Sequence, residues 1–171
     1  MEFLTYDNAA AKYYSELEIK TLPLVSWDFF SQNFSNNQVT ILDNSVLNKL
    51  ETKNNWETTW DFNYMLQNET VIVVTDSKLK IVFASENINK MNGYNPNEVI
   101  GKTPRMFQGK DTDTAVSNEI RLAIQNQKPF DKVVLNYRKD GSIYKCHIQG
   151  HPVFNRKGKL INFIAFEKIA A

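Results

Sequence analysis

The order of elements along this chain predicts an α+β fold, an antiparallel sheet with helices on one face. Three observations carry that expectation. A short β-branched run, Val71-Ile72-Val73-Val74-Thr75, is followed by a turn and a second apolar run, so the pair reads as a hairpin. Pieces with helical spacing come next. Three longer strand-like segments, joined by turn-forming residues, close the chain.

The first sixty residues read as helical and irregular, without a repeat or a low-complexity linker. Ala9 to Lys20 has good helix formers, with Tyr13, Tyr14, Leu17 and Ile19 as apolar positions, and Pro23 breaks it. Ser26 has N-cap chemistry ahead of Phe29, Phe30 and Phe34, and Asn36-Asn37 predicts an end to that piece. Leu42 to Ser45 opens a further short helix with Val46, Leu47 and Leu50 as its stripe. Thr58 to Gln67, with Trp60, Phe62, Tyr64, Met65 and Leu66, leads into the second region.

From there the pattern is clearer. Asp76-Ser77-Lys78 turns the chain into a second strand, Ile81–Ala84. Short helical pieces are expected over Ile88–Met91, Asn97–Ile100 and Thr103–Phe107. Asp113 caps a longer helix whose apolar positions are Val116, Ile120, Ala123 and Ile124. The closing strands are Phe130–Tyr137, Ser142–Phe154 and Leu160–Lys168. Lys139-Asp140-Gly141 and Asn155-Arg156-Lys157-Gly158 join them with hairpin chemistry. The division is a helical extension over 1–61 and a sheet domain over 62–171.

Bulk composition excludes several classes of function. Twenty basic and 19 acidic residues leave a net charge of +1, with no basic run, which argues against a nucleic-acid partner and a polybasic membrane anchor. No apolar run approaches the roughly 20 residues that span a bilayer. Residues 1–10 lack the pattern of a secretory leader, so a cytoplasmic location is expected. Cys146 is the only cysteine, which rules out an intrachain disulfide or a cysteine-rich zinc site.

The stretch "VIVVTDSKLKIVFASENINKMNGYNPNEVIGK", with Gly93-Tyr94 followed by Glu98 and Gly101, resembles the opening of the PAS domain family. Within that family, "GKTPRMFQGKDTD" is similar to the flavin-binding signature of light-oxygen-voltage (LOV) domains. The resemblance covers residues 69–170 and implies a five-stranded antiparallel sheet and a sensory role. It also implies a pocket. Arg105 and Gln108 match the signature's arginine and glutamine, Arg121 a second phosphate-binding arginine, Asn136 a pyrimidine-edge asparagine, and Thr75 a pocket-lining residue.

The departures are as specific. Thr103 and Pro104 stand where the signature has asparagine and the photoactive cysteine, so no thiol is placed for a flavin adduct. Cys146 replaces a second flavin-binding asparagine. Glu167 replaces the glutamine facing flavin O4 and N5, and an ionised carboxylate has no proton to offer an acceptor. These changes disfavour FMN, and the cofactor is left open.

Each polar candidate has a plainer reading. Arg105 and Arg121 either clamp an anion or hold helices together through salt bridges to Asp111, Asp113 or Glu119. Gln108 and Asn136 are either ligand contacts or ordinary buried polar groups. His147 and His151 share one side of a strand but lack a third ligand, and the helix over Asp113–Gln127 has no histidine for haem, so neither metal nor haem is expected. The residues offer no phosphate-cradling glycine loop and no nucleophile with a base, so an enzyme is not expected.

The resemblance implies that Asn136, Cys146 and Glu167 face the helices; strand parity then puts Val133, Leu135, Tyr137, Val153, Ile164 and Phe166 on the outer face with Lys145, His147, Gln149 and His151. Such an apolar face must be covered. The expected covers are the amino-terminal helices and a second copy or signalling partner. The function expected is a sensory and interaction module that senses a small ligand or binds a protein. The alternative is a flavoprotein signalling without a cysteinyl adduct.

Overall fold

A computed structural model describes residues 24–57 and 60–170, with side-chain packing from residue 38 onward. The expected helix over Ala9–Lys20 lies outside the described residues, as do the side chains of Phe29, Phe30 and Phe34. Residues 36–171 form a compact unit of their own.

The chain runs α1 (Leu24–Asn54), α2 (Phe62–Gln67), β1 (Val71–Asp76), β2 (Ile81–Ala84), α3 (Ile88–Asn92), α4 (Pro96–Val99), a 3-10 turn (Pro104–Phe107), α5 (Thr114–Gln125), β3 (Phe130–Tyr137), β4 (Ile143–Phe154) and β5 (Leu160–Ile169). The five strands form one antiparallel sheet in the order β2-β1-β5-β4-β3. The expected fold class is the observed one.

Two expectations need correction. One helix replaces the separate pieces expected between Ser26 and Leu50. Leu24 starts it, so Ser26 is not a cap, and Asn36-Asn37 does not end it. Asparagine inside a helix costs only a few tenths of a kcal/mol, roughly 0.7 at most. The turn chemistry of two asparagines is therefore a weak stop. The Thr103–Phe107 segment is a 3-10 turn rather than an α-helix.

The three hairpins share one device. Asp76 Oδ1 accepts from the backbone N–H groups of Lys78 and Lys80, Asn155 Oδ1 from those of Lys157 and Lys159, and Asp140 Oδ1 from that of Ser142. An Asx side chain thus folds each turn by imitating a backbone carbonyl. Asp113 caps α5 in a related way, its Oδ1 accepting from Ala115 N at 2.7 Å. The Gly93–Gly101 stretch is structural too. Gly93 ends α3 at φ +79°, and Glu98 accepts from Asn95 N at 2.9 Å and from Lys139 Nζ at 2.6 Å.

Alternation along the strands divides the apolar residues between two cores. On the inner face Val71, Val73, Ile81, Tyr144 and Cys146 pack against Ile88, Met91, Val99 and Phe107 from α3, α4 and the 3-10 turn. On the outer face Ile72, Val74, Val153, Ile164 and Phe166 pack against Leu47 of α1, Trp56, and Phe62 and Leu66 of α2. The amino-terminal segment therefore covers the outer face of β1, β5 and the adjoining end of β4, as parity required. Fully burying each such side chain contributes roughly 1.5–3 kcal/mol.

Polar contacts fix the cover. Asn162 Oδ1 accepts from Asn54 Nδ2 and Trp56 Nε1, both at 3.0 Å, while its Nδ2 donates to Thr75 O at 2.9 Å. Trp56 also bridges to Asn155, and Glu57 N donates to Phe154 O at 2.9 Å. Further along the sheet, Asp43 of α1 is buried and its Oδ2 accepts from Glu86 N at 2.9 Å, just ahead of α3.

Leu47 is fully buried in the outer core. Leu47→Ala should cost about 2–5 kcal/mol in urea unfolding, the usual range for a core leucine truncation. Removing residues 1–55 should uncover Val153, Ile164 and Phe166 and give a protein that aggregates or changes its oligomeric state on size exclusion. A truncated chain that stays monomeric with an unchanged midpoint would show that the cover is dispensable.

Candidate ligand cavity

Between the inner face of the sheet and α5 lies a cavity of about 110 Å³. Its walls are mostly apolar and include Val73, Phe107, Ile120, Ile124, Val134, Ile148 and Phe163. Four polar side chains join them: Thr75 from β1, Gln108 from the residue after the 3-10 turn, Asn136 from β3 and Glu167 from β5. Pro104 lies on the same wall. Four of the seven site residues expected from sequence thus line one space: strand parity turns Thr75, Asn136 and Glu167 inward, and Gln108 joins them from the loop after the 3-10 turn.

Glu167 stands between Val71 of β1 and Ile148 of β4 in register. It is buried, and its one hydrogen bond comes from the Cys146 thiol, which donates to Oε2 at 3.6 Å. Burial pushes the Glu167 carboxyl up to about 7. Burial, reinforced by the Glu167 charge, holds the Cys146 thiol far above the ordinary thiol range, so it stays protonated. Cys146 is fully buried and belongs to the inner core rather than to the cavity wall. Thr75 Oγ1 is buried with no hydrogen-bond partner.

The two arginines are elsewhere. Arg105 and Arg121 are exposed, and neither lines the cavity, although each adjoins a lining residue, Pro104 and Ile120 respectively. The alternative of salt bridges is not observed either. Asp111 accepts from the Tyr137 hydroxyl at 2.6 Å, Asp113 caps α5, and Glu119 pairs with Lys132. The histidines are engaged as well. His147 Nε2 lies 2.6 Å from Asp131 Oδ1, and His151 packs between Trp60 and Phe166, where burial lowers its pKa.

One determinant of the cavity was missed. Phe130 pairs in register with Gly150, and its ring lies directly over the glycine. A Cβ at Gly150 would meet Phe130 Cε1 at 2.3 Å, which no real packing tolerates. Gly150 has an ordinary φ, so the absence of a side chain there makes room for the ring rather than for a turn. Both residues line the cavity. A glycine in a strand interior was the available signal, because it marks a close approach.

The profile of the PAS domain family matches residues 68–168, and the chain belongs to that family. Its relatives with curated descriptions include phototropin-2 of Oryza sativa subsp. japonica, 40% identical over 87 residues, and protein TWIN LOV 1 of Arabidopsis thaliana, 42% identical over 88 residues. Each alignment covers 51% of this chain but only 10% and 22% of those proteins, so the chain spans a small part of their length. Among solved structures it is similar to the light-state LOV domain of the blue-light photoreceptor aureochrome1, with TM-score 0.57 and 28% identity over 59% of this chain and 81% of that one. A LOV domain studied with a flavin analogue gives TM-score 0.61 and 26% identity over 66% of this chain and 86% of that one. The chain therefore carries a sensory signalling domain of the PAS type with LOV-like relatives. Among the described residues no helix is long and apolar enough to cross a membrane.

The raised carboxyls make stability pH-dependent. Burial raises Asp43 to about 6 and Glu167 to about 7. A carboxyl whose folded pKa lies above its unfolded value favours folding at low pH, and that contribution is lost as pH rises through the folded pKa. Glu167→Gln should therefore be more stable than the natural protein by ~1–3 kcal/mol at about pH 8, and nearly equal to it at about pH 4. Denaturant curves at the two values read the difference. A constant difference across pH would mean that Glu167 is not titrating in the buried site.

Proposed function

We propose that this chain is a sensory and interaction module that binds a small ligand in its inner cavity and passes the signal through its outer sheet face. The observation that carries the reading is the cavity itself, an apolar space holding a buried carboxyl, an unpartnered Thr75 hydroxyl and the Asn136 amide. Buried polar groups without partners are costly, and a ligand that satisfies them is stabilised by the same amount. The output is assigned to the outer face. There Val133 and Ile143 are exposed on β3 and β4, beside the part that the amino-terminal helices cover. A second copy or a signalling partner docking on that strip, together with those helices, is the proposed partner. The module acts without catalysis, in the cytoplasm.

The second reading, an FMN protein without adduct chemistry, draws on Thr75, Gln108 and Asn136, which meet in the cavity as LOV-like resemblance implies. The residues present fit the group poorly. The cavity of about 110 Å³ is well below the roughly 300–1,000 Å³ of ordinary ligand pockets. Phe130 occupies the space above Gly150, and Glu167 in its ionised form has no proton for a flavin edge that is itself an acceptor. Pro104 places no thiol there.

Native mass spectrometry of freshly purified full-length protein, with an absorption spectrum, separates the readings. The expected result is no flavin and no reversible light-induced bleaching, in the natural protein and in Pro104→Cys alike. A yellow protein that releases one FMN per chain would replace the first reading with the second.

A further inference from the structure

Seventeen residues line the inner cavity, and Glu167 is the only ionisable one among them. No lysine, arginine or histidine is among them. Cys146 bonds the carboxyl and Tyr144 of β4 interacts with it, Val71 and Ile148 flank Glu167 in register, and Gln108, Ile120 and Ile124 line the same cavity from the helical side. Cys146 and Tyr144 both have raised pKa values and stay neutral, so neither neutralises a Glu167 carboxylate. The thiol is a weak donor and occupies only Oε2. Every other polar group on the wall, Thr75, Gln108 and Asn136, can accept as well as donate. A carboxylate in such a space gains most from a partner that brings its own positive charge and N–H donors.

The size of that partner is bounded. An apolar cavity of about 150 Å³ admits benzene. This one is about 110 Å³ with the Phe130 ring in place. We infer that the cavity takes a small cationic ligand, an alkyl ammonium with a compact branched body of about six non-hydrogen atoms or fewer, whose N–H groups pair with Glu167 and whose body packs on Phe130, Ile148 and Ile124. This deepens the ligand-sensing reading and rests on it. It also gives Glu167 a purpose in a wall where an amide would be free of the titration problem.

Three probes of one shape and different charge test the inference: isobutylamine, isobutanol and isobutyrate. Each is titrated into the isotope-labelled full-length chain, and the amide shifts of Val73, Gly150 and Glu167 are followed. At about pH 8, where Glu167 is largely ionised, isobutylamine should bind at least about tenfold more tightly than isobutanol, and isobutyrate should not bind. Lowering the pH to about 5.5 protonates Glu167 while the amine stays charged, so its affinity should fall by roughly thirtyfold. Glu167→Gln should remove the preference for the amine at both values, while its fold is checked by the same spectra.

If isobutanol binds as well as the amine, the cation inference is overturned while ligand sensing stands. The same conclusion follows if Glu167→Gln leaves amine binding unchanged. If none of the three moves the cavity resonances, the inference is overturned, and the ligand-sensing reading then depends on what native mass spectrometry finds.

Discussion

Strand β5 runs through the middle of the sheet between β1 and β4, and its two faces lie in two different cores. On one face Ile164 and Phe166 meet the amino-terminal cover. On the other Phe163, Ala165 and Glu167 meet the cavity. A strand buried on both sides cannot leave polar groups unpaired. Asn162 on the covered side uses both ends of its amide, binding Asn54, Trp56 and Thr75. Glu167 on the cavity side is bonded only to a thiol. The contrast separates a polar residue whose bonds join the cover to the sheet from one whose bonding capacity the surrounding side chains leave largely unused.

The same double burial links the cavity to the cover. Thr75 is a case in point: its carbonyl accepts from Asn162 on the outer side, while its hydroxyl is on the cavity wall. One residue of β1 thus has its backbone engaged with the Asn162 junction and its side chain with the cavity. Any ligand that reorients Thr75 acts on a peptide unit bonded to the residue that anchors the helical cover. That is a short physical route between the two faces, through one residue and two hydrogen bonds.

Much of this was legible in the sequence because strands have a period of two. Once β3, β4 and β5 were placed, the family resemblance named the inner face of Asn136, Cys146 and Glu167, and parity put Val153, Ile164 and Phe166 on the outer. Asp140-Gly141 and Asn155-Gly158 marked the hairpins because their chemistry is local. What was not legible depends on distant partners. Asn36-Asn37 looked like a stop because local propensity was the only guide, and a helix tied down further along through Leu47 and Asp43 outweighs it. Arg105 and Arg121 match a phosphate-binding pattern, yet sequence spacing does not say whether a side chain enters the cavity. The Phe130–Gly150 contact needed the β3–β4 register, which fixes the cavity's size and which no motif reports.

The two borders of the sheet are closed in a similar manner. Along β2, Ile81 N donates to Lys102 O, and Ile81 O accepts from Gly101 N at 2.7 Å. Along β3, Leu135 O accepts from Thr112 Oγ1 at 2.7 Å, and the Asp111 N–H and carboxylate both bond the Tyr137 hydroxyl. The chain's own loops therefore occupy the outward backbone groups of Ile81 on β2 and the Leu135 carbonyl on β3, which leaves fewer groups free to recruit a sixth strand. Each margin is thus partly shielded against lateral growth, the route by which exposed strand margins polymerise into fibres. Stacking on a sheet face differs from such growth, because side chains rather than backbone amides then choose the partner.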